Sequence, residues 1–250
     1  MYDTNLIQKC LFIDIETVAE YKNLDELKKA NLHKAQLWVD RCDYLRRRYI
    51  ENESLTCEEL YERKAGLHAE YSKIVCVSAG IVTKDNTIQV ISYYGHDERA
   101  IVKNAFALMG SFMTKTVGGR IAGYNIKRFD IPVLSKRCII NGMIIPEQMQ
   151  THKLKPWEMP FVDLAEDWSF GAWQEGFTSL DLLTTVLGIP SPKDDIKASE
   201  VQGVYYGTGD IERIRFYCEK DVIATINVMY TFANLPLIPE SSIQVISANK

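Results

Sequence analysis

Apolar positions along the chain follow the two-residue period of strands in some segments and the three-to-four-residue period of helices in others. A short apolar run predicts a buried strand at residues 10–15. Residues 73–83 and 87–95 alternate in the same way and are joined by the turn Lys84-Asp85-Asn86, which predicts a β-hairpin. Two shorter strands are predicted, one leaving through Gly123 and one at residues 160–164.

Helical periodicity dominates the rest of the chain. The predicted helices cover residues 24–49, 57–71, 97–113, 131–142, 180–187 and 211–232. Thr56, with Glu59 three residues on, predicts a capping box before the second helix. In the first helix the apolar positions fall three to four residues apart, with one wider gap. Residues 143–176 are predicted to be mostly irregular.

Two of the later helices carry clear boundary residues. Ser179 is an N-cap candidate and Gly188 a stop for the helix between them, and Asp210 is the N-cap candidate of the last helix. Strands linked by helical crossovers beside an antiparallel hairpin predict an α/β fold with a mixed sheet flanked by helices. No linker divides the chain, so we predict one domain, residues 1–250, with a helical insertion at about 24–71.

Composition is ordinary for a soluble globular protein, with 46% apolar and 25% charged residues. No apolar run approaches the roughly 20 residues that a membrane span needs, and no signal peptide is expected. The six cysteines form no C-x-x-C pair, which favours a reducing, cytoplasmic setting over a disulfide scaffold or zinc site. The net charge of −4 argues mildly against a large nucleic-acid-binding face but leaves room for a local basic groove.

The tripeptide Asp-Ile-Glu occurs twice and its placement predicts two different roles. Asp14 and Glu16 lie at the C-terminal end of the first predicted strand, and because residues two apart in a strand share a face, both carboxylates project together. Adjacent carboxylates repel each other unless a divalent cation such as Mg²⁺ neutralises them. The second copy begins at Asp210 after Gly-Thr-Gly, where Asp210 is an N-cap and Glu212 a first-turn acid favoured by the helix dipole.

Two further motifs add candidate residues. Asn125-x-x-x-Phe129-Asp130 lies in a strand-to-helix connection, and Asp130 is either a helix cap, a metal-facing carboxylate, or both. Tyr217 and Asp221 are four residues apart in the last helix, so they share a face. The alternative for this pair is a half-buried tyrosine and a surface ion pair of the aspartate with a nearby Lys or Arg.

The order of these motifs resembles the DEDD exonuclease superfamily, of ribonuclease-H-like fold, in its tyrosine-bearing branch. The strings "FIDIET", "YNIKRFDIPVL" and "YCEKDV" look most like the 3′–5′ exonuclease domain of family-B DNA polymerases and predicted stand-alone relatives of it. The segments "YSKIVCVSAG" and "TSLDLLTTVLGIPSPK" are similar to that group too, so the resemblance runs from Cys10 to Tyr230.

The resemblance implies a metal-dependent 3′–5′ exonuclease that releases 5′ mononucleotides. Its metal-binding carboxylates would be Asp14, Glu16, Asp130 and Asp221, which together would hold two divalent cations, Mg²⁺ or Mn²⁺. Tyr217 would orient the attacking water, because a phenol that titrates near 10 positions better than it takes a proton.

The resemblance also implies that Thr17, Asn125 and Phe129 contact the substrate, although Phe129 has a core position as its alternative. We expect DNA 3′ ends, single-stranded or frayed, as the substrate, and RNA ends remain an alternative that depends on contact with a 2′-hydroxyl. A non-catalytic nucleic-acid-binding or scaffold module is the alternative of another class. Trp157, Trp168 and Trp173 lie in the irregular stretch and are stacking candidates, with burial as their alternative. The role of the insertion stays open between substrate guidance and partner docking.

Overall fold

The computed structural model of the chain describes residues 2–172, 177–190 and 196–246. The strands are β1 (Cys10–Ala19), β2 (Ser72–Val82), β3 (Ile88–Tyr94), β4 (Arg120–Gly123), β5 (Phe161–Asp163) and β6 (Ile243–Ile246). The helices are α1 (Thr4–Ile7), α2 (Leu24–Ala30), α3 (Leu32–Arg48), α4 (Cys57–Lys64), α5 (Glu98–Lys115), α6 (Asp130–Ile140), α7 (Leu164–Trp168), α8 (Leu180–Leu187), α9 (Val201–Gly203) and α10 (Ile211–Phe232). A π-helical turn, Val204–Thr208, follows α9 directly.

Within the described residues the six strands form one mixed sheet in the order β5-β4-β1-β2-β3-β6. Strands β1, β2 and β3 are antiparallel neighbours, so the predicted hairpin is present. Strands β4 and β5 run parallel to β1 on one side of the sheet, and β6 runs parallel to β3 at the other edge. This is the predicted α/β fold with a mixed sheet flanked by helices, and the arrangement is ribonuclease-H-like.

The alternating side chains of β1 divide the core into two layers. Leu11, Ile13 and Ile15 face the cluster that contains residues of α5 and α6. Cys10 and Phe12 face the opposite cluster, which contains the apolar residues of α10 and α8. Because side chains two apart in a strand share a face, Asp14 and Glu16 project on the α10 side.

Helix α10 lies unusually close to the sheet at Gly80 of β2. A Cβ built on Gly80 would lie 2.7 Å from Cγ1 of Val222, a contact that no larger residue tolerates without movement. This close approach brings the buried face of the last helix against the strand that carries the carboxylates. The 22-residue helix begins at the predicted N-cap Asp210, whose side chain accepts a hydrogen bond from Arg213 N at 3.1 Å.

The predicted helix 24–49 is wrong in one respect, because the chain forms two helices there. Asn31 ends α2 by donating its amide to Leu27 O, and its side chain begins α3 by accepting from Lys34 N. The break falls in the wider gap of the apolar pattern. Together with α4, the two helices enclose a separate apolar cluster around Trp38.

Other predicted boundaries also change. The helix predicted at 57–71 has the expected Thr56–Glu59 capping box but ends at Lys64, and a 3₁₀ turn, Ala65–Leu67, leads toward β2. The stretch 143–176, predicted to be mostly irregular, contains β5 as expected and also α7 and several 3₁₀ turns. The predicted helix between Ser179 and Gly188 is confirmed, with Gly188 in the left-handed conformation at φ 68°.

Candidate active site

Strand β1 continues past the predicted end at Ile15 as far as Ala19, so Asp14 and Glu16 lie within the strand and not at its end. The parallel pairing of β1 with β4 stops at Phe12, opposite Ala122. Beyond that point β1 is paired only with β2, and the ladder shifts register between Glu16 and Thr17. The carboxylates therefore occupy the part of β1 that its neighbour β4 leaves uncovered.

The connection from β4 to α6 carries Asn125, Phe129 and Asp130. Asn125 has the left-handed backbone conformation, φ 63°, which asparagine tolerates better than most residues. Its carbonyl accepts hydrogen bonds from the amides of Arg128 and Phe129, which closes a compact turn before the helix.

Asp130 is not the helix cap that the first alternative proposed. The N-cap position is Phe129, which makes no side-chain capping bond, and Asp130 is the first residue of α6. Its Oδ1 instead accepts a hydrogen bond from Ile15 N at 3.1 Å, across 115 positions of sequence. This bond joins α6 to β1 between Asp14 and Glu16.

Asp163, at the end of β5, fixes the Asn125 turn and was not singled out from the sequence. Its buried carboxylate accepts from Asn125 N at 2.8 Å and from Lys127 N at 2.9 Å. It also caps α7 by accepting from Ala165 N and Glu166 N. The only sequence signal was an acid at the end of a short predicted strand.

Helix α10 presents Tyr217 and Asp221 to the same region. Tyr217 is 5% exposed and Asp221 8% exposed, and the charge of Asp221 helps to raise the pKa of the Tyr217 hydroxyl. The alternative of a surface ion pair for Asp221 is thus wrong, because the carboxylate is buried. Cys218, which the sequence analysis did not select, donates its thiol to Asp14 Oδ2 at 3.2 Å.

The cluster gathers oxygen and sulfur ligand atoms at short range. Ligand atoms of Asp14, Glu16 and Cys218 all lie within 4.8 Å of one another. One cleft of about 250 Å³ is lined by all eight residues to which the family resemblance gives a catalytic, metal-binding or substrate-binding role, namely Asp14, Glu16, Thr17, Asn125, Phe129, Asp130, Tyr217 and Asp221.

The helical insertion forms one wall of this cleft through Glu62, Arg63, Gly66 and Leu67. Thr17 connects the insertion to β1, because its hydroxyl donates to Gly66 O at 2.7 Å. In the described structure the Thr17 hydroxyl therefore holds the cleft wall.

Burial and mutual repulsion dominate the electrostatics of the cleft. Burial, followed by the charges of Asp221, Glu16 and Asp130, raises the pKa of the Asp14 carboxyl well above its ordinary value. Burial, followed by Asp221, also raises the pKa of Glu16. Burial raises the pKa of Asp130 to about 7, although the hydrogen bond from Ile15 N opposes the shift. A cation bound among these groups would be stabilised by the whole cluster.

The donor set suits a hard divalent cation. Carboxylate oxygens are the ligands that Mg²⁺ and Mn²⁺ prefer, and several carboxylates can neutralise more than one ion. Burial also raises the pKa of the Cys218 thiol, so its sulfur carries a proton and is a weak ligand. The cleft therefore has the chemistry of a divalent-cation site built from oxygen ligands.

The second Asp-Ile-Glu copy has the predicted helix-start geometry. Asp210 is exposed and caps α10. Glu212 accepts from Tyr94 OH at 2.7 Å and from Arg215 Nε at 2.8 Å. Neither acid lines the cleft.

The tryptophans of the predicted irregular stretch do not line the cleft where they are described. Trp157 is 76% exposed, and Trp168 stacks on Phe232. Trp173 lies outside the described residues.

One family of proteins matches most of the chain. The sequence model of a family described as "Predicted 3'-5' exonuclease related to the exonuclease domain of PolB" matches residues 66–236. The chain belongs to this family. The matched segment of this PolB-related family includes Asn125, Phe129, Asp130, Tyr217 and Asp221.

Asp14 and Glu16 precede the segment that the PolB-related family model matches. Their grouping with the other candidate residues therefore rests on the cleft geometry. No curated protein sequence matches the chain significantly.

A similar solved structure is the family B DNA polymerase from the hyperthermophilic archaeon Pyrobaculum calidifontis. It is 17% identical and has a TM-score of 0.53, and the alignment covers 90% of this chain. The same alignment covers 24% of the polymerase chain, so this PolB-related protein corresponds to about a quarter of it. At this identity the likeness shows the fold alone. None of the helices in the described ranges has the length and apolarity needed to cross a membrane.

Proposed function

We propose that the protein is a metal-dependent 3′–5′ exonuclease that removes 5′ mononucleotides from the 3′ end of single-stranded or frayed DNA. The observation that carries this proposal is the convergence of Asp14, Glu16, Asp130 and Asp221 in one cleft from three distant segments. Family membership supports the class of reaction, and the polymerase likeness supports the fold on which it takes place.

The four carboxylates would hold the divalent cations, and Asp14 and Glu16 would contribute from β1. When bound, such cations neutralise the phosphate and lower the pKa of a coordinated water. Without a cation the carboxylates repel a phosphate that enters the cleft.

Tyr217 orients the attacking water with its hydroxyl. Burial, followed by the charges of Asp221, Glu16 and Asp14, raises its pKa far above the ordinary value, so the phenol keeps its proton. A protonated phenol donates a hydrogen bond and does not act as a base. The water loses a proton to solvent and its oxygen forms a bond to phosphorus. The bond from phosphorus to the 3′ oxygen of the preceding nucleotide breaks, and that oxygen takes up a proton from solvent.

The test compares Asp14→Asn with Asp210→Asn, the same change in the two Asp-Ile-Glu copies. The assay uses 5′-labelled single-stranded DNA and RNA oligomers of one sequence, with Mg²⁺, with Mn²⁺, or with EDTA. We expect a cation-dependent ladder that shortens from the 3′ end of DNA for the wild type and for Asp210→Asn. We expect no ladder for Asp14→Asn.

Each other outcome has a defined meaning. A ladder on RNA alone would keep the mechanism and change the substrate. A ladder from folded Asp14→Asn at the wild-type rate would overturn the site assignment. Binding of both oligomers without cleavage under any condition would favour a nucleic-acid-binding or scaffold module. Mn²⁺ binding, measured by electron paramagnetic resonance and lost in Asp14→Asn, checks the cation site independently of activity.

A further inference from the structure

A second groove of about 550 Å³ adjoins the active-site cleft. Leu67 and Phe129 line both the cleft and this groove, so they form the boundary between the two. One wall of the groove comes from the insertion, namely from α3 and the residues that follow the 3₁₀ turn at Leu67. The opposite wall comes from α6 and the turn before it.

The groove is basic in a protein that is acidic as a whole. Lys34 and Arg41 line it from the insertion, and Arg128 and Lys136 line it from the α6 side. Among the described residues that line the groove, Glu70 is the one acid, whereas the whole chain carries a formal net charge of −4. A local excess of positive charge next to a candidate nuclease site suits a polyanion.

Arg41 has a histidine as its side-chain partner. Its Nη2 lies 3.3 Å from Nδ1 of His68, and it forms no ion pair with the carboxylates of the described residues. Burial, followed by the charge of Arg41, lowers the pKa of His68 to about 4, so the imidazole is neutral at pH 7. Within the described ranges Nε of Arg41 is buried without a hydrogen-bond partner.

Lys136 and Lys34 are each paired with one acid. Lys136 lies 3.3 Å from Glu70, and both side chains are more than half exposed, a kind of ion pair that contributes little and exchanges partners readily. Lys34 pairs with Glu20 and also lies over the ring of Tyr71, 5.6 Å from its centroid.

The boundary between cleft and groove is apolar. Leu67 is 54% exposed, and Phe129 lies opposite on the other wall. An apolar ridge flanked by cations can contact bases while the cations hold the phosphates, which is the pattern of single-strand binding.

We propose that this groove binds the nucleotides that precede the 3′-terminal one, so that the helical insertion forms one wall of the single-strand path. The proposal rests on the proposed function, because it takes the 3′ terminus to lie at the carboxylates. It gives the insertion a role in substrate guidance.

The test neutralises one lysine on each wall. The Lys34→Gln/Lys136→Gln double variant removes two cations from the groove, and Lys103→Gln/Lys115→Gln removes two exposed cations from α5 as the matched control. Binding of a 5′-fluorescein-labelled 12-nucleotide DNA strand is measured by anisotropy in EDTA at 50 to 200 mM salt. Thermal denaturation checks that both variants are folded.

Two lost phosphate contacts on a single strand reduce the slope of log K against log salt by about 1.4. Lowering the salt concentration from 200 to 50 mM strengthens DNA binding by both proteins. The increase in affinity should be about 7-fold larger for the wild type than for the groove variant. The control variant keeps the wild-type slope. With Mg²⁺ or Mn²⁺, kcat/KM on the 12-mer falls for the groove variant.

A small substrate separates this proposal from the proposed function. The p-nitrophenyl ester of thymidine 5′-monophosphate reaches the carboxylates but is too short for the groove. Failure of the wild type to hydrolyse the ester and the 12-mer, with binding intact, would overturn the proposed function alone. A groove variant with wild-type slope and affinity would overturn the groove assignment alone. Absence of strand binding by the wild type would overturn the groove assignment too.

Discussion

Replacing Asp130 by asparagine should make the cation-free protein more stable, and increasingly so as the pH rises. Asp130 is 3% exposed, and burial raises its pKa to about 7. A carboxyl whose pKa is raised by folding destabilises the folded protein as the pH rises from its pKa in the unfolded chain, near 4, to its pKa in the folded protein. The reason is that the carboxyl ionises first in the unfolded chain. Asparagine keeps an oxygen that can accept from Ile15 N and carries no charge.

The size of the effect follows from the shift. One pKa unit corresponds to about 1.4 kcal/mol. Ionisation of Asp130 therefore lowers the free energy of unfolding by about 4 kcal/mol at pH 8 and by about 1.5 kcal/mol at pH 5. The advantage of asparagine therefore grows by about 2.5 kcal/mol between these pH values. For a chain of this size that is about 5–10 °C in Tm. These are upper limits, because Asp14, Glu16 and Asp221 share the proton uptake.

The assay is thermal denaturation of the wild type and Asp130→Asn in EDTA at pH 5 and pH 8. His68, whose lowered pKa has the opposite effect on stability at acid pH, is present in both proteins and cancels in the difference. Asp210→Asn is the control, because asparagine also serves as an N-cap and Asp210 is exposed. Its Tm should differ from the wild type equally at both pH values.

Mn²⁺ at pH 8 should then raise the Tm of the wild type more than that of Asp130→Asn, since the cation relieves the repulsion that the variant has already reduced. A Tm difference between Asp130→Asn and the wild type that stays constant or shrinks from pH 5 to pH 8 would refute the reasoning. In that case burial would not raise the pKa of the Asp130 carboxyl in the folded protein.

Three further changes test the site and its supports. Tyr217→Phe should lower kcat on the order of 10²-fold with the fold intact by circular dichroism, and an unchanged rate would remove the hydroxyl from the mechanism. Arg137→Met should lower the free energy of unfolding in urea by about 3–5 kcal/mol, because it leaves the Glu98 carboxylate, which Arg137 binds at 2.7 and 2.6 Å, without its cation. The double variant Arg137→Met/Glu98→Gln should lose less stability than Arg137→Met, and a larger loss in the double variant would contradict this reasoning. Asp163→Ala should cost about 2 kcal/mol and raise KM, because the Asn125 turn loses its acceptor; unchanged KM would make Asp163 purely structural.

Local signals predicted the elements that local chemistry determines. The capping box at Thr56, the cap at Ser179 and the left-handed Gly188 each depend on hydrogen bonds to residues a few positions away. The local sequence was therefore enough to predict them. The break at Asn31 was missed because Asn31 both ends one helix and begins the next, and only the wider gap in the apolar pattern indicated it. Strand β6 was missed because four residues become a strand only by pairing with β3, about 150 positions away.

The same distinction applies to the site. The carboxylates of Asp14, Glu16, Asp130 and Asp221 could be nominated from motif order, and the structure gathers them in one cleft. Asp163 and Cys218 could not be nominated, because their contacts to Asn125 and Asp14 exist only after the strands and α10 have packed. The extent of β1 beyond Ile15 was also unpredictable, since it depends on pairing with β2.

The two copies of Asp-Ile-Glu differ because a carboxylate acquires its chemistry from what surrounds it. Asp210 and Glu212 have local partners, a helix N-terminus and the side chains of Tyr94 and Arg215, that satisfy their charge. Asp14 and Glu16 instead face other acids across the cleft, and burial makes their ionisation costly. An arrangement that weakens the cation-free fold becomes favourable only when a cation binds. Relief of the repulsion at Asp14 and Glu16 would therefore contribute to the free energy of cation binding.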